Sequence, residues 1–209
     1  MTPTQKETNN MVQTIISEAM NSIFQVILFS LIPFIWWLIT ARRKESFFSW
    51  IGLKKPSKSF KSLLPYILVI FIICEALGLL LYNGLLKTDW NTAQYAGTGA
   101  AGIPCALIFS YIHTAFSEEI LFRGFIQKRL QHVFDFKIAA VIQGILFGAI
   151  HVVLSLNYIT FEQGIVLLLY PMLTAILMAF INEKKADGSI LPSWLIHGTL
   201  NTITQFINL

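Results

Sequence analysis

The sequence predicts an all-α protein: a polytopic transmembrane helix bundle of about six spans, with a four-helix core in its C-terminal half. Three observations predict it. Apolar residues make up 55% of the 209 and charged residues 12%, against about 45–50% and about 25% in soluble domains. Six apolar stretches approach the roughly 20 residues needed to cross a hydrocarbon core. Lys and Arg are rich and poor in alternate connecting segments, as inside and outside loops are. The composition excludes intrinsic disorder, which needs few apolar residues and many charges. Six spans use about 120 positions, which leaves room for loops and one compact membrane domain.

The elements follow in chain order. A polar segment, Met1 to Met20, precedes the first apolar run, Ile23 to Thr40; it lacks the charged start and short apolar core of a cleaved signal. That run contains Pro33, tolerated in a membrane helix as a kink, and ends in Arg42-Arg43-Lys44. Glu45 to Ser62 mixes Phe47, Phe48, Trp50 and Ile51 with Lys54, Lys55, Lys58 and Lys61, and reads as an interfacial segment or a solvated basic loop. Leu63 to Tyr82 is the second run, and the Gly-rich stretch from Asn83 to Gly102 reads as a linker. The third run starts near Ile103 and continues without a breaker to about Val133, which predicts one long helix. The fourth, fifth and sixth runs are Ile138 to Leu156, Gly164 to Ile181 and Ile190 to Ile207.

Seven Lys/Arg follow the first run, Lys87 alone follows the second, and Arg123, Lys128, Arg129 and Lys137 surround the end of the third. The loop after the fourth run has none, that after the fifth has Lys184 and Lys185, and the tail has none. The alternation is unbroken and predicts that both termini face outside. The net charge of +4 therefore reports orientation, and no nucleic-acid partner is expected. Residues 1–102 are expected to form an N-terminal part with two membrane helices and a basic cytoplasmic loop, and residues 103–209 the core. Cys74 and Cys105 form no CxxC and read as small buried apolar residues.

Ionisable residues inside a span cost roughly 2.5–3.5 kcal/mol or more, so each is a functional hypothesis. Glu118, Glu119 and Arg123 form an EExxxR pattern. Glu119 and Arg123 are i,i+4 neighbours and pair on a helix, while Glu118 points about 100° away. Phe147 and His151 form an FxxxH pattern in an otherwise uncharged run, and His197 and Asn201 an HxxxN pattern on one helical face. Each alone also fits a structural role: a helix-end ion pair, a packed histidine, polar glue between helices. Rise arithmetic places Glu118 about 22 Å in from one end of its span and His151 about 20 Å in from the opposite end of its own. Their depths then differ by about 10 Å in a core about 30 Å thick. Glu75, His113 and His132 read as structural or surface residues.

Taken in that order on three helices, the three motifs resemble the CPBP (CAAX protease and bacteriocin-processing, or Abi) family of intramembrane endopeptidases. The resemblance covers roughly Ile103 to Leu209, and all three motifs match. The Ile51-Gly52-Leu53-Lys54-Lys55-Pro56 stretch is weakly similar to a loop that bacterial members carry, which makes the bacterial cell membrane the expected location. The resemblance implies hydrolysis of peptide bonds in membrane-associated substrates by glutamate- and histidine-activated water, with the bilayer as the other partner. It implies that Glu118 is the catalytic glutamate, aided by His151. His197 and Asn201 would hold the oxyanion, and Glu119 and Arg123 would position the site. It leaves open a glutamic mechanism with no certain cofactor, or a divalent metal such as zinc on Glu118, His151 and His197. No HExxH is present.

Other protease classes fit worse. Asp89, Asp135 and Asp187 all fall in expected loops or at helix ends, where an intramembrane aspartate pair is not formed. Ser117 sits beside two acids that oppose its deprotonation. Two other readings use the same residues: a non-catalytic bacteriocin-immunity or scaffold protein, and a small transporter with an intramembrane ion site.

Overall fold

The computed structural model describes residues 3–81 and 94–209, and every element among them is helical. Six long helices carry the architecture: α1 (Pro3–Thr40), α2 (Phe60–Leu81), α3 (Gly99–Leu130), α4 (Phe136–Ser155), α5 (Phe161–Lys185) and α6 (Leu191–Asn208). The first five are long and apolar enough to cross a membrane. The sixth expected run is present as α6. At 18 residues it reaches about 27 Å, but it carries Ser193, His197, Thr199, Asn201, Thr202, Thr204 and Gln205. Its polarity is turned to partners within the bundle.

Tyr82, Lys87, Asp89 and the linker from Asn83 to residue 93 lie outside the described residues. The rest of that linker is a turn at 94–97 running into Gly99–Gly102, the opening turn of α3. The long third helix is continuous, with π-helical turns at Phe109–Phe116 and Glu119–Gln127. The Thr114 hydroxyl donates to both Phe109 O and Ser110 O, each at 3.1 Å, and so spans one widened turn. π turns mark functional stretches of helices more often than chance. Glu118 lies between these two.

The first helix begins about twenty residues before the apolar run expected to define it. The polar segment joins the helix because its acid finds donors inside the protein. Glu18 is 4% exposed. It accepts from Tyr95 OH at 2.5 Å, from His113 Nδ1 at 2.9 Å and from Ser22 Oγ at 3.2 Å. This ties α1 to α3 and to the turn before it. Burial and the Glu18 bond both push the Tyr95 phenol pKa up. Cys74 and Cys105 are buried free thiols, as expected.

Close packing of α4 on α5 rests on Gly144 and Gly148, a small-xxx-small pair. A Cβ at Gly148 would stand 2.2 Å from Leu168 O, and one at Gly144 2.9 Å from Met172 O. Gly198 plays the same part between α6 and α3, where a Cβ would meet the Tyr111 ring at 2.3 Å. Tyr111 also bonds Thr199 Oγ1 at 2.8 Å and accepts from Trp194 Nε1 through its backbone oxygen at 2.7 Å.

The basic segment after α1 is neither wholly interfacial nor wholly solvated. A short helix, Phe47–Trp50, buries Trp50 and leads to Ile51, which is fully buried against Ile120, Phe125 and Ile190. Gly52 then takes a positive φ of 82°, and its carbonyl accepts from Ile190 N at 2.9 Å. Ser189 Oγ donates to Lys54 O at 2.6 Å, and Ser57 to Asp187. Lys128 Nζ donates to Gly188 O at 2.7 Å and pairs with Glu183 at 2.9 Å. The loop is thereby stapled to the turn that launches α6.

Candidate active site

Three helices converge where the sequence motifs sit. Glu119 on α3 is fully buried, and each of its carboxylate oxygens is engaged. Oε1 lies 3.3 Å from Arg123 Nη1, one turn along α3, and accepts from His197 Nδ1 on α6 at 3.0 Å. Oε2 accepts from Ser193 Oγ, one turn before His197. Ser193 Oγ in turn accepts from Asn182 Nδ2 of α5 at 2.7 Å, and its backbone N donates to Asn182 Oδ1 at 3.3 Å. The carboxylate is thus the knot joining α3, α5 and α6.

Arg123 is 1% exposed. Its guanidinium stands 4.2 Å over the Phe147 ring of α4 and donates to Met178 Sδ at 3.4 Å. A cation held this way is partnered by one carboxylate, one aromatic face and one sulfur. Removing one partner of such a buried pair leaves an uncompensated charge, at a cost of about 3–5 kcal/mol.

Glu118 has a different environment. Its side chain is 20% exposed. Its Oε2 makes no hydrogen bond among the described residues and stands 3.6 Å from His197 Nε2. The tautomer of His197 is assigned from its partners. Glu119, paired with Arg123, accepts only, so Nδ1 carries a proton, and Nε2 is the nitrogen turned toward Glu118. The chain Glu119–His197–Glu118 is an orienting acid, an imidazole and a second acid in line.

His151 does not touch Glu118. Its Nδ1 donates to Phe147 O at 2.7 Å, which leaves Nε2 as an open lone pair. It joins the site through an aromatic ring, because Phe147 packs against His151 at 4.7 Å between centroids and against His197 at 6.0 Å. Asn201 reaches back to α3, where its Nδ2 donates to Thr114 Oγ1 at 2.8 Å.

Of the six expected site residues, Glu118, Glu119, Arg123 and His197 meet directly. His151 meets them through Phe147, and Asn201 sits one turn beyond His197 on its own partner. The expected metal set does not form as such. Among the described residues no three His, Cys, Asp or Glu side chains stand together as a metal cage requires. His197 and His151 each hold Nδ1 in a hydrogen bond and keep Nε2 open, but the two open nitrogens do not converge with Glu118 on one point. Ser193 and Asn182 escape motif reading, since a serine and an asparagine eleven residues apart resemble ordinary polar glue. Phe147 was visible as the first letter of FxxxH, but only the structure shows it as the surface shared by Arg123, His151 and His197.

A family model described as Type II CAAX prenyl endopeptidase Rce1-like matches residues 100–203. That span is about half the chain and holds every residue of this site. No curated protein and no solved structure matches the chain.

Proposed function

We propose that this chain, which belongs to the Rce1-like type II CAAX prenyl endopeptidase family, hydrolyses peptide bonds of membrane-associated substrates with Glu118 as general base. The observation that carries the reading is the asymmetry of the two glutamates. Glu119 is fully engaged, whereas Glu118 keeps an oxygen without a hydrogen bond beside the open nitrogen of His197.

In this reading a water lies against Glu118. Its oxygen attacks the scissile carbonyl carbon while Glu118 takes its proton, and the carbonyl π electrons move to the oxygen. The carbon–nitrogen bond then breaks as the proton passes to the departing amine, directly or through His197 Nε2. Glu119 and Arg123 fix the imidazole and do not exchange protons. Asn201 Nδ2 has two hydrogens, one given to Thr114 and the other free for the oxyanion. His151 supplies a second open imidazole nitrogen at the edge of the site. No step is routed through a metal, because the three ligands proposed for one do not gather. The substrate in this reading is a membrane-associated peptide or protein.

Glu118→Gln tests this. It keeps shape and removes the base, so cleavage of a model membrane peptide is expected to fall by at least 10³-fold, with melting in detergent unchanged. A scaffold or a transporter would show no cleavage to lose. Undiminished cleavage by Glu118→Gln would end the assignment.

A further inference from the structure

Two glutamines lie one helix turn from the buried ion pair and take no part in the chemistry described above. Gln127 on α3 and Gln143 on α4 are each 0% exposed. Neither the amide oxygen nor the amide nitrogen of either makes a hydrogen bond among the described residues, and the same holds for Arg123 Nε. The helix register places these groups together. Arg123 stands over the Phe147 ring, which fixes α3 against α4. Gln127 follows Arg123 by one turn, and Gln143 precedes Phe147 by one turn. The two helices run in opposite directions across the turn at 131–135, so both amides fall at one level of the seam, on the loop side of the guanidinium. Next along α3, the Lys128–Glu183 pair is already partly exposed.

From this we propose that Gln127, Gln143 and Arg123 Nε bind a small cluster of ordered water behind the Glu119–Arg123 pair. Buried polar groups in folded proteins are satisfied by protein or by ordered water, and a buried water takes about three such partners. The donor set selects the occupant. Two amide oxygens accept, while two amide nitrogens and the Nε hydrogen donate, so the occupant must do both. A metal cation would meet the guanidinium and leave every donor idle. An anion would meet two carbonyl oxygens, and the charge of Arg123 is already balanced by Glu119. A direct amide pair would leave Arg123 Nε and one N–H of each amide unmet. Water serves all of them. The consequence rests on the proposed function. With Nη1 on Glu119, Nη2 on Met178 Sδ and Nε on this water, the guanidinium is fixed from three sides. Gln127 and Gln143 are then positioning residues for the acid that orients His197.

The test is X-ray radiolytic footprinting of the full chain in detergent, in which hydroxyl radicals born from bound water oxidise the side chain beside it. Met178 is the reporter, since it is 1% exposed and its sulfur lies 3.4 Å from Arg123 Nη2. Cys105, 0% exposed, is the dry control. Wild type is expected to oxidise Met178 severalfold faster than Cys105. Gln127→Leu with Gln143→Leu keeps the volume and removes the partners, so Met178 oxidation should fall to the Cys105 level. Gln127→Ser with Gln143→Ser leaves room and hydroxyls for water, and should keep Met178 oxidised, which separates drying from misfolding. A wild type as dark at Met178 as at Cys105 would overturn the site in favour of a direct amide pair. Persistent oxidation in the leucine pair would also overturn it, because the water would then come from the Glu118 side. Loss of the signal on replacing chloride with gluconate would reassign the site to an anion. The positioning role is read on the same proteins: kcat for a model peptide should fall in the leucine pair and recover in the serine pair, with KM held. Equal kcat in all three would end that role. The footprint involves no cleavage, so the water site fails or holds apart from the protease reading.

Discussion

Helix α3 carries two carboxylate–imidazole units that look alike at first. Toward its start, His113 Nδ1 meets Glu18 at 2.9 Å, with Tyr95 and Ser22 as hydroxyl donors to the same acid. Further along, His197 Nδ1 meets Glu119 at 3.0 Å, with Ser193 as the hydroxyl donor. The difference lies on the far side of the ring. His113 presses an aromatic neighbour, Phe109, at 5.1 Å between centroids. His197 instead offers Nε2 to a second acid, Glu118, and its orienting acid is neutralised by Arg123. An acid and an imidazole buried together make a staple. A half-buried second acid and a buried cation extend the pair into the arrangement to which the proposed function assigns the proton relay.

The sharpest break in this comparison sets Arg123→Ala against Glu18→Gln. Arg123→Ala is expected to cost about 3–5 kcal/mol and to abolish cleavage with it. Glu18→Gln loses charge-assisted bonds worth roughly 1.5–3 kcal/mol each, so its melting temperature should fall while kcat holds. Melting in detergent and cleavage of one model substrate would be read on both. If Glu18→Gln lowered kcat as far as Arg123→Ala, the two units would have to be one machine.

Asn201→Ala refines the active half. If its second Nδ2 hydrogen serves the oxyanion, kcat should drop by about 10²–10³ with KM little changed. A rise in KM alone would reduce Asn201 to a helix clamp on Thr114.

The smallest effect concerns the loop staple, which has no imidazole at all. Ser57 donates to Asp187, and that bond, with Lys58 and Lys54 nearby, holds the carboxyl below its ordinary range. A lowered pKa means that the staple is fully present above the ordinary carboxylate value, about 4, and is lost as pH falls through the lowered one. Amide protection across 52–58, taken relative to the intrinsic exchange rate at each pH, should fall only at the acid end of that window. In Asp187→Asn that protection should be low across the whole range.

Much of this was legible in the sequence. Six helices follow from apolar run length, and Glu118, Glu119, Arg123 and His197 from their spacing, because a helix turns i,i+4 into a contact. What escaped was whatever depends on partners far along the chain. Glu18 lies in the polar segment Met1 to Met20 and received no reading of its own; its burial requires Tyr95 and His113, neither of which marks itself. Trp50 and Ile51 looked interfacial, yet Trp50 lies beneath the Arg129 guanidinium at 4.0 Å and Ile51 under Ile120 and Ile190. Ser193 and Asn182 carry no pattern that distinguishes a site from glue. The π turns of α3 were invisible too, since the apolar periodicity there fits an ordinary helix equally well.

The order in which the helices leave the ribosome gives the site a timetable. α4 and α5 are joined by a short loop and packed through Gly144 and Gly148, a local contact that forms early. Glu118, Glu119 and Arg123 are in place before them in the chain, but the imidazole and hydroxyl that engage Glu119 arrive only with α6. Until Leu191–Asn201 is in place, Glu119 has Arg123 on its own helix and Glu118 lacks its imidazole neighbour. A half-made chain therefore holds its acids without the imidazole that joins them, and the proposed site is complete only once the last helix has packed.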